Sequence, residues 1–187
     1  MHLSHRLSVA IGLIAVSLTS TAAADISGGI LGGYGLPPGS DNGDLFRIGY
    51  GARAGFTLPV LPLYFGAQST FHLGSKDDEP GVEPNKISYH GLEAGLDLTW
   101  DEYGLRPYAM GGAAIVDSSR DVDGGFTSVY FGLGVTPSYT FVDLPLLDLY
   151  IGLDLRAVGV LTPIDNGDNE TQIVAFPVYA QIGARLF

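Results

Sequence analysis

The chain has 187 residues, of which 46% are hydrophobic and only 16% charged, with 27 Gly, 10 Tyr, 9 Phe and no Cys. That length fits one domain, and the missing cysteine removes disulfides, thiolate metal sites and a Cys nucleophile. A formal net charge of −11 works against nucleic acid as a partner, because no Lys/Arg-rich patch offsets it.

The N-terminus, "MHLSHRLSVAIGLIAVSLTSTAAAD", places Arg6 before an apolar run from Leu7 to Leu18 and ends in Ala22-Ala23-Ala24. This is the layout of a secretory signal peptide over 1–24, and the run is too short to span a membrane as a helix. The remaining domain is 25–187.

No later stretch has helical periodicity; alternation with a period of two recurs instead. In 26–36, Ile26, Ile30, Tyr34 and Leu36 share a face. In 45–58, Phe46, Ile48, Tyr50, Ala52, Ala54, Phe56 and Leu58 oppose Arg47, Arg53, Thr57 and three glycines. In 63–73, Leu63, Phe65, Ala67, Phe71 and Leu73 oppose Tyr64, Gln68, Thr70 and His72. In 87–100, Leu92, Ala94, Leu96, Leu98 and Trp100 oppose Tyr89, Glu93, Asp97 and Thr99. Small residues blur 105–116, where Arg106 and Tyr108 fall on the polar side. In 127–141, Val129, Phe131, Leu133, Val135 and Tyr139 oppose Ser128, Tyr130, Thr136 and Ser138. In 148–161, Leu149, Ile151, Leu153, Leu155 and Ala157 oppose Tyr150, Asp154 and Arg156. The closing segment "QIVAFPVYAQIGARLF" sets Val174, Phe176, Val178, Ala180, Ile182, Ala184 and Leu186 against Tyr179, Gln181 and Arg185.

Segments of roughly 10 to 14 residues are long for a soluble sheet, where about 5 or 6 is usual; they suit a tilted membrane strand of about 9–11 residues. A water-facing surface would be dense in Lys and Glu, yet the only two lysines are Lys76 and Lys86, both in one connection. The apolar faces are therefore expected to meet lipid and the polar faces to line an interior. Connections 37–44, 74–86, 117–126 and 162–172 are long and polar, while 59–62, 101–104 and 142–147 are short. Bacterial barrels have long outer loops, short periplasmic turns and an even strand number. The fold expected is an all-β, eight-stranded antiparallel up-and-down transmembrane β-barrel with periplasmic termini. It would be a monomer in the outer membrane, in contact with lipid and lipopolysaccharide.

With its leader, eight alternating segments and terminal Phe187, the chain resembles the small outer-membrane barrels of the OmpA/OmpX type, over essentially all of 25–187. The resemblance implies that Phe187 is the terminal aromatic read by the barrel-assembly machinery. That pattern also places a hydrophobic residue two positions earlier, where this chain has Arg185.

An eight-stranded barrel is just wide enough for side chains to fill, so interior charges must be paired. The expected lumen network is Arg47, Arg53, Arg156 and Arg185 with Glu93, Asp97 and Asp154. Depth along the strands favours Arg53 with Asp97 or Glu93, joined by Asp154 and Arg156. No cofactor or metal is expected. Gly-x-Gly pieces lack a third Gly and a following helix, so they carry no dinucleotide fingerprint. "DNGDNE" lacks the spacing and closing Glu of a calcium loop.

Two alternatives stand beside a non-enzymatic structural or surface-interaction barrel. One is a narrow solute channel. The other is a lipid A-modifying enzyme, because some barrels similar to this one use Ser and His near the outer leaflet. Here Ser88 and His90 share the lipid-side face of one strand, but the order is "SYH" rather than His-x-Ser. The nearest acid, Glu83, is a loop residue, so the constellation is incomplete.

Overall fold

The computed structural model describes residues 24–36, 47–74, 86–117, 126–161 and 173–187. The expected leader, except for Ala24, and most of the four long acidic connections lie outside the described residues. The strands are β1 (Asp25–Leu36), β2 (Ile48–Thr57), β3 (Leu63–Leu73), β4 (Lys86–Leu96), β5 (Leu98–Trp100), β6 (Tyr103–Asp117), β7 (Phe126–Leu144), β8 (Leu147–Val160) and β9 (Ile173–Leu186). They form an antiparallel meander in which β1 also pairs with β9 and β4 with β6. The sheet thus closes into a barrel.

The barrel has eight staves, because β4 and β5 make one. Gly95 faces Tyr108 and Leu98 faces Leu105, the same register against β6 on both sides of a break at Asp97. The sequence predicts one continuous strand here. The break arises beside the start of β3: the Asp97 N–H donates to the carbonyl of Pro62, just before that strand, at 2.8 Å, and the carboxylate turns inward. Residues 101–102 form a tight turn between β5 and β6 in which Asp101 has a φ of 52°. Asp is one of the few residues that visits this left-handed region readily. Between Thr140 and Val142 the β7–β8 register shifts, a bulge that lets β7 run past the expected end at 141.

The faces are inverted relative to a soluble protein. Ile30, Leu92, Leu133 and Ile182 point outward and are more than half exposed, whereas Arg53, Glu93, Asp154 and Arg156 are at most 5% exposed. An apolar exterior around a polar interior is the arrangement that hydrocarbon demands.

Tyrosines fill the lumen, and glycines make room for them. A Cβ on Gly134 would land in the Tyr108 ring, and one on Gly66 or Gly55 in the Tyr64 ring. The many strand glycines therefore allow close approach of interior rings to the wall. At the loop-side end the inner face is apolar rather than polar: Ile87, Val116, Val160 and Ala175 form a buried cluster continuous with Tyr89 and Tyr130. Alternation hides this in sequence, since both faces of "AAIV" (113–116) are apolar.

Candidate functional site

Below the apolar cap lies an aromatic layer. The Tyr179 hydroxyl is 2.5 Å from His72 Nε2, and His72 and Tyr130 both pack edge-on against Tyr89.

The middle layer is built around Asp154, which β8 points inward two residues before Arg156. Its Oδ2 accepts from Arg53 Nη2, from Arg156 Nε at 2.8 Å and from Arg156 Nη2 at 2.5 Å. Its Oδ1 accepts from the Tyr108 hydroxyl at 2.6 Å and the Thr136 hydroxyl at 3.0 Å. Five donors on one carboxylate satisfy an anion that burial would otherwise penalise heavily. Arg53 Nη1 also donates to Thr136 at 3.2 Å, and Arg156 Nη1 donates to the Gln68 carbonyl oxygen. Gln68 Nε2 then donates to the Tyr130 hydroxyl at 3.0 Å. Glu93 is held more loosely. Its Oε1 is 3.8 Å from Arg53 and 4.0 Å from Arg156, and its Oε2 accepts from the Tyr64 hydroxyl at 3.1 Å. Two guanidiniums balance two carboxylates in this layer. Arg53 also lies over the Tyr108 ring and Arg156 over that of Tyr179, which shields each cation by cation–π contact.

Toward the short turns a third layer centres on Asp97. It accepts from Arg106 Nη2 at 2.7 Å and from the Thr57 hydroxyl at 2.9 Å, and it faces Arg185 at 3.6 Å. Arg106 stacks over Tyr64 at 3.9 Å, joining this layer to the one above.

Six of the seven residues expected in the lumen network thus lie inside, in two groups rather than one. Arg53 meets Asp154 and Glu93, not Asp97. Asp97 sits level with Thr57, four residues beyond Arg53, or roughly 13 Å along the strand. Arg47 is a correction. It is exposed in a bend before β2 begins, where its carbonyl accepts the Gly35 N–H at 2.9 Å; the inner face has run out at that point. Arg106 is the charge that sequence reasoning left out of the network, because small residues blur its strand. Arg185 breaks the hydrophobic pattern expected before Phe187 because it points into the lumen opposite Ser27 and Asp148. Phe187 itself follows β9 and is 46% exposed.

The outer wall holds a separate polar cluster. Ser69 on β3 and His90 on β4 are cross-strand partners, and Ser69 Oγ is 2.9 Å from His90 Nδ1. Ser88 Oγ is 3.2 Å from His90 Nε2. The Phe71 ring packs edge-on against His90 at 5.4 Å. Among the described residues, no Asp or Glu hydrogen-bonds this histidine.

No protein family and no curated protein matches the sequence. Solved structures do. Neisserial surface protein A (NspA) has a TM-score of 0.54 at 18% identity, over 87% of this chain and 96% of that one. The N-terminal β-barrel domain of Pseudomonas aeruginosa OprF has a TM-score of 0.47 at 15% identity, over 88% of this chain and 100% of that one. Ail, the attachment invasion locus protein of Yersinia pestis, has a TM-score of 0.40 at 15% identity, over 88% of this chain and 97% of that one. Closed ring, inverted faces and the likeness to NspA agree: the chain has the fold of the small eight-stranded outer-membrane β-barrels, the OmpA/OmpX type that its sequence resembles.

Proposed function

We propose that the protein is a non-enzymatic, monomeric barrel of the bacterial outer membrane, a structural element that carries acidic loops for surface interaction. The observation that carries this reading is the filled lumen. Side chains follow one another from Ile87, Val116 and Val160 at one end to the Asp97–Arg106–Arg185 group at the other. A network with this many mutual hydrogen bonds is costly to open, since moving one partner strands a buried charge on the other. The barrel is then a support, with contact made at the loops and outer wall. Lipid and lipopolysaccharide surround it, the barrel-assembly machinery inserts it through Phe187, and its termini face the periplasm.

Planar-bilayer recording tests the reading. Purified protein inserted at neutral pH should give no unitary conductance, and regular ion-selective openings would replace this reading with a channel. Protease treatment of intact cells tests orientation: cleavage after Lys76 or Arg120 without lysis is expected. A second reading, lipid modification, draws on the two hydroxyls that flank His90. Among the described residues it lacks an orienting acid, and the strand backbone there is paired on both sides, so its N–H groups belong to the ladder and not to an oxyanion hole. Mass spectra of lipid A from cells with and without the protein should be identical; a lost or added acyl chain would establish the enzyme instead.

A further inference from the structure

The Ser69–His90–Ser88 cluster is out of place on a wall that faces hydrocarbon. Toward the short turns its strands are lined on that side by Phe65, Ala67, Leu92, Ala94 and Leu96, and toward the loops by Phe71, Leu73 and Lys86. His90 lies four residues, or roughly 13 Å along the strand, inside the loop-side start of β4. Between it and the loop-side end the same face carries Ser88 and Lys86, so the cluster stands at the loop-side margin of the apolar wall.

Counting protons shows what the cluster lacks. A neutral imidazole has one N–H and one lone pair. One serine hydroxyl must donate to the ring, and the other must accept from it. This holds for either tautomer. The accepting serine keeps an O–H with no acceptor in the cluster, and both oxygens keep free lone pairs. Water would satisfy these groups at a soluble surface. In a bilayer the available partners are lipid hydroxyls and carbonyls.

Directly below, on the same faces of the same strands, the wall is hollowed. Ala67 on β3, Ala94 on β4 and Ala109 on the neighbouring β6 form a floor beside Phe65 and Leu92, and the furrow, open to the outside, offers about 960 Å³. Ala67 precedes Ser69 on β3, and Leu92 and Ala94 follow His90 on the antiparallel β4, so all three lie on the short-turn side of the cluster. A hydrogen-bonding head and an apolar trough thus run in line down the barrel.

We propose that this is a binding site for one lipid A molecule of the outer leaflet. A hydroxyl, ester or amide group near the start of an acyl chain would meet Ser69, His90 and Ser88, and the chain would lie in the alanine furrow. The choice of lipid rests on the long loops facing outward, which the protease experiment decides independently. Binding requires no bond to form or break.

The test compares three detergent-purified proteins: wild type, the triple variant Ser69→Ala/His90→Leu/Ser88→Ala, and Thr127→Val on the outer face of β7 as a control. Each must first show heat-modifiable migration, and substitutions on the lipid face leave the lumen intact. Native mass spectrometry is then run with lipid A and phosphatidylethanolamine in equal amounts. Wild type and Thr127→Val should retain lipid A in preference to phosphatidylethanolamine. The triple variant should retain about fivefold less, as loss of one or two hydrogen bonds implies. Equal retention of lipid A by the triple variant, equal retention of both lipids by wild type, or retention of neither overturns the site.

Discussion

At the scale of single residues, the lumen is unequal. Asp154 receives five hydrogen bonds, whereas Glu93 receives one at 3.1 Å and meets its two arginines only at 3.8 and 4.0 Å. Removing one partner of a buried pair costs about 3–5 kcal/mol, because the remaining charge is stranded. Asp154→Ala strands two guanidiniums at once and should fall at the upper end of that range. Arg53→Ala should fall within it, and Glu93→Ala should cost less than Asp154→Ala. Glu102→Ala, at an exposed turn residue, should stay within about 0.5 kcal/mol. Urea unfolding in lipid vesicles gives the order. The double variant Arg53→Ala/Asp154→Ala should cost less than the sum of its singles, since the partners are in contact. Equal, small effects at Arg53 and Glu102 would mean that Arg53 does not face a dry interior.

At the scale of strands, what controls the packing is the match between a tyrosine and the glycine beside it. Tyr64 lies against both Gly55 on β2 and Gly66 on β3, so a methyl group at Gly66 meets the phenol directly. Gly66→Ala should destabilise by about 1–3 kcal/mol through overpacking. In a Tyr64→Ala background the same change should cost clearly less, because the ring has gone and only the Ala54 carbonyl, 3.0 Å from the added methyl group, remains close. A full penalty in both backgrounds would place the strain in the backbone rather than in the ring. This pairing also marks the limit of what could be read from sequence. Two-residue alternation located the inner residues of β2, β3, β8 and β9, including Arg53, Asp154, Arg156 and Arg185, because one face was clearly apolar. It could not rank partners, since which acid meets which arginine depends on register and ring closure. It also left Arg106 out of the network and did not reveal the apolar cap of Ile87, Val116 and Val160. Around Val116 and Val160 both faces are small or apolar, so a period of two has nothing to contrast, and around Ile87 the contrast is reversed, with Lys86, Ser88 and His90 outside and the apolar side chain inside.

At the scale of the whole molecule, stability rests on closure. β9 pairs with β1 from Ile26–Leu186 to Leu36–Phe176 and with β8 from Leu147–Leu186 to Val160–Ile173. Removing it would expose two long edges whose N–H and C=O groups have no partner in hydrocarbon. The intact ring should therefore resist detergent until boiled, and unheated and boiled samples should migrate differently on a denaturing gel. Truncation of 173–187 should abolish the unheated form. Phe187 is a separate matter. It lies past the last ladder residue, is 46% exposed, and its N–H reaches only the Leu146 carbonyl, at 3.4 Å. Phe187→Ala should leave refolding into detergent micelles and heat-modifiable migration unchanged, because the ring closes without that side chain. In cells the same variant should accumulate less folded protein in the outer membrane, if the terminal aromatic is read during insertion. Loss of refolding in vitro would show that Phe187 holds the ring together. Full insertion in cells would show that the assembly machinery reads another part of β9.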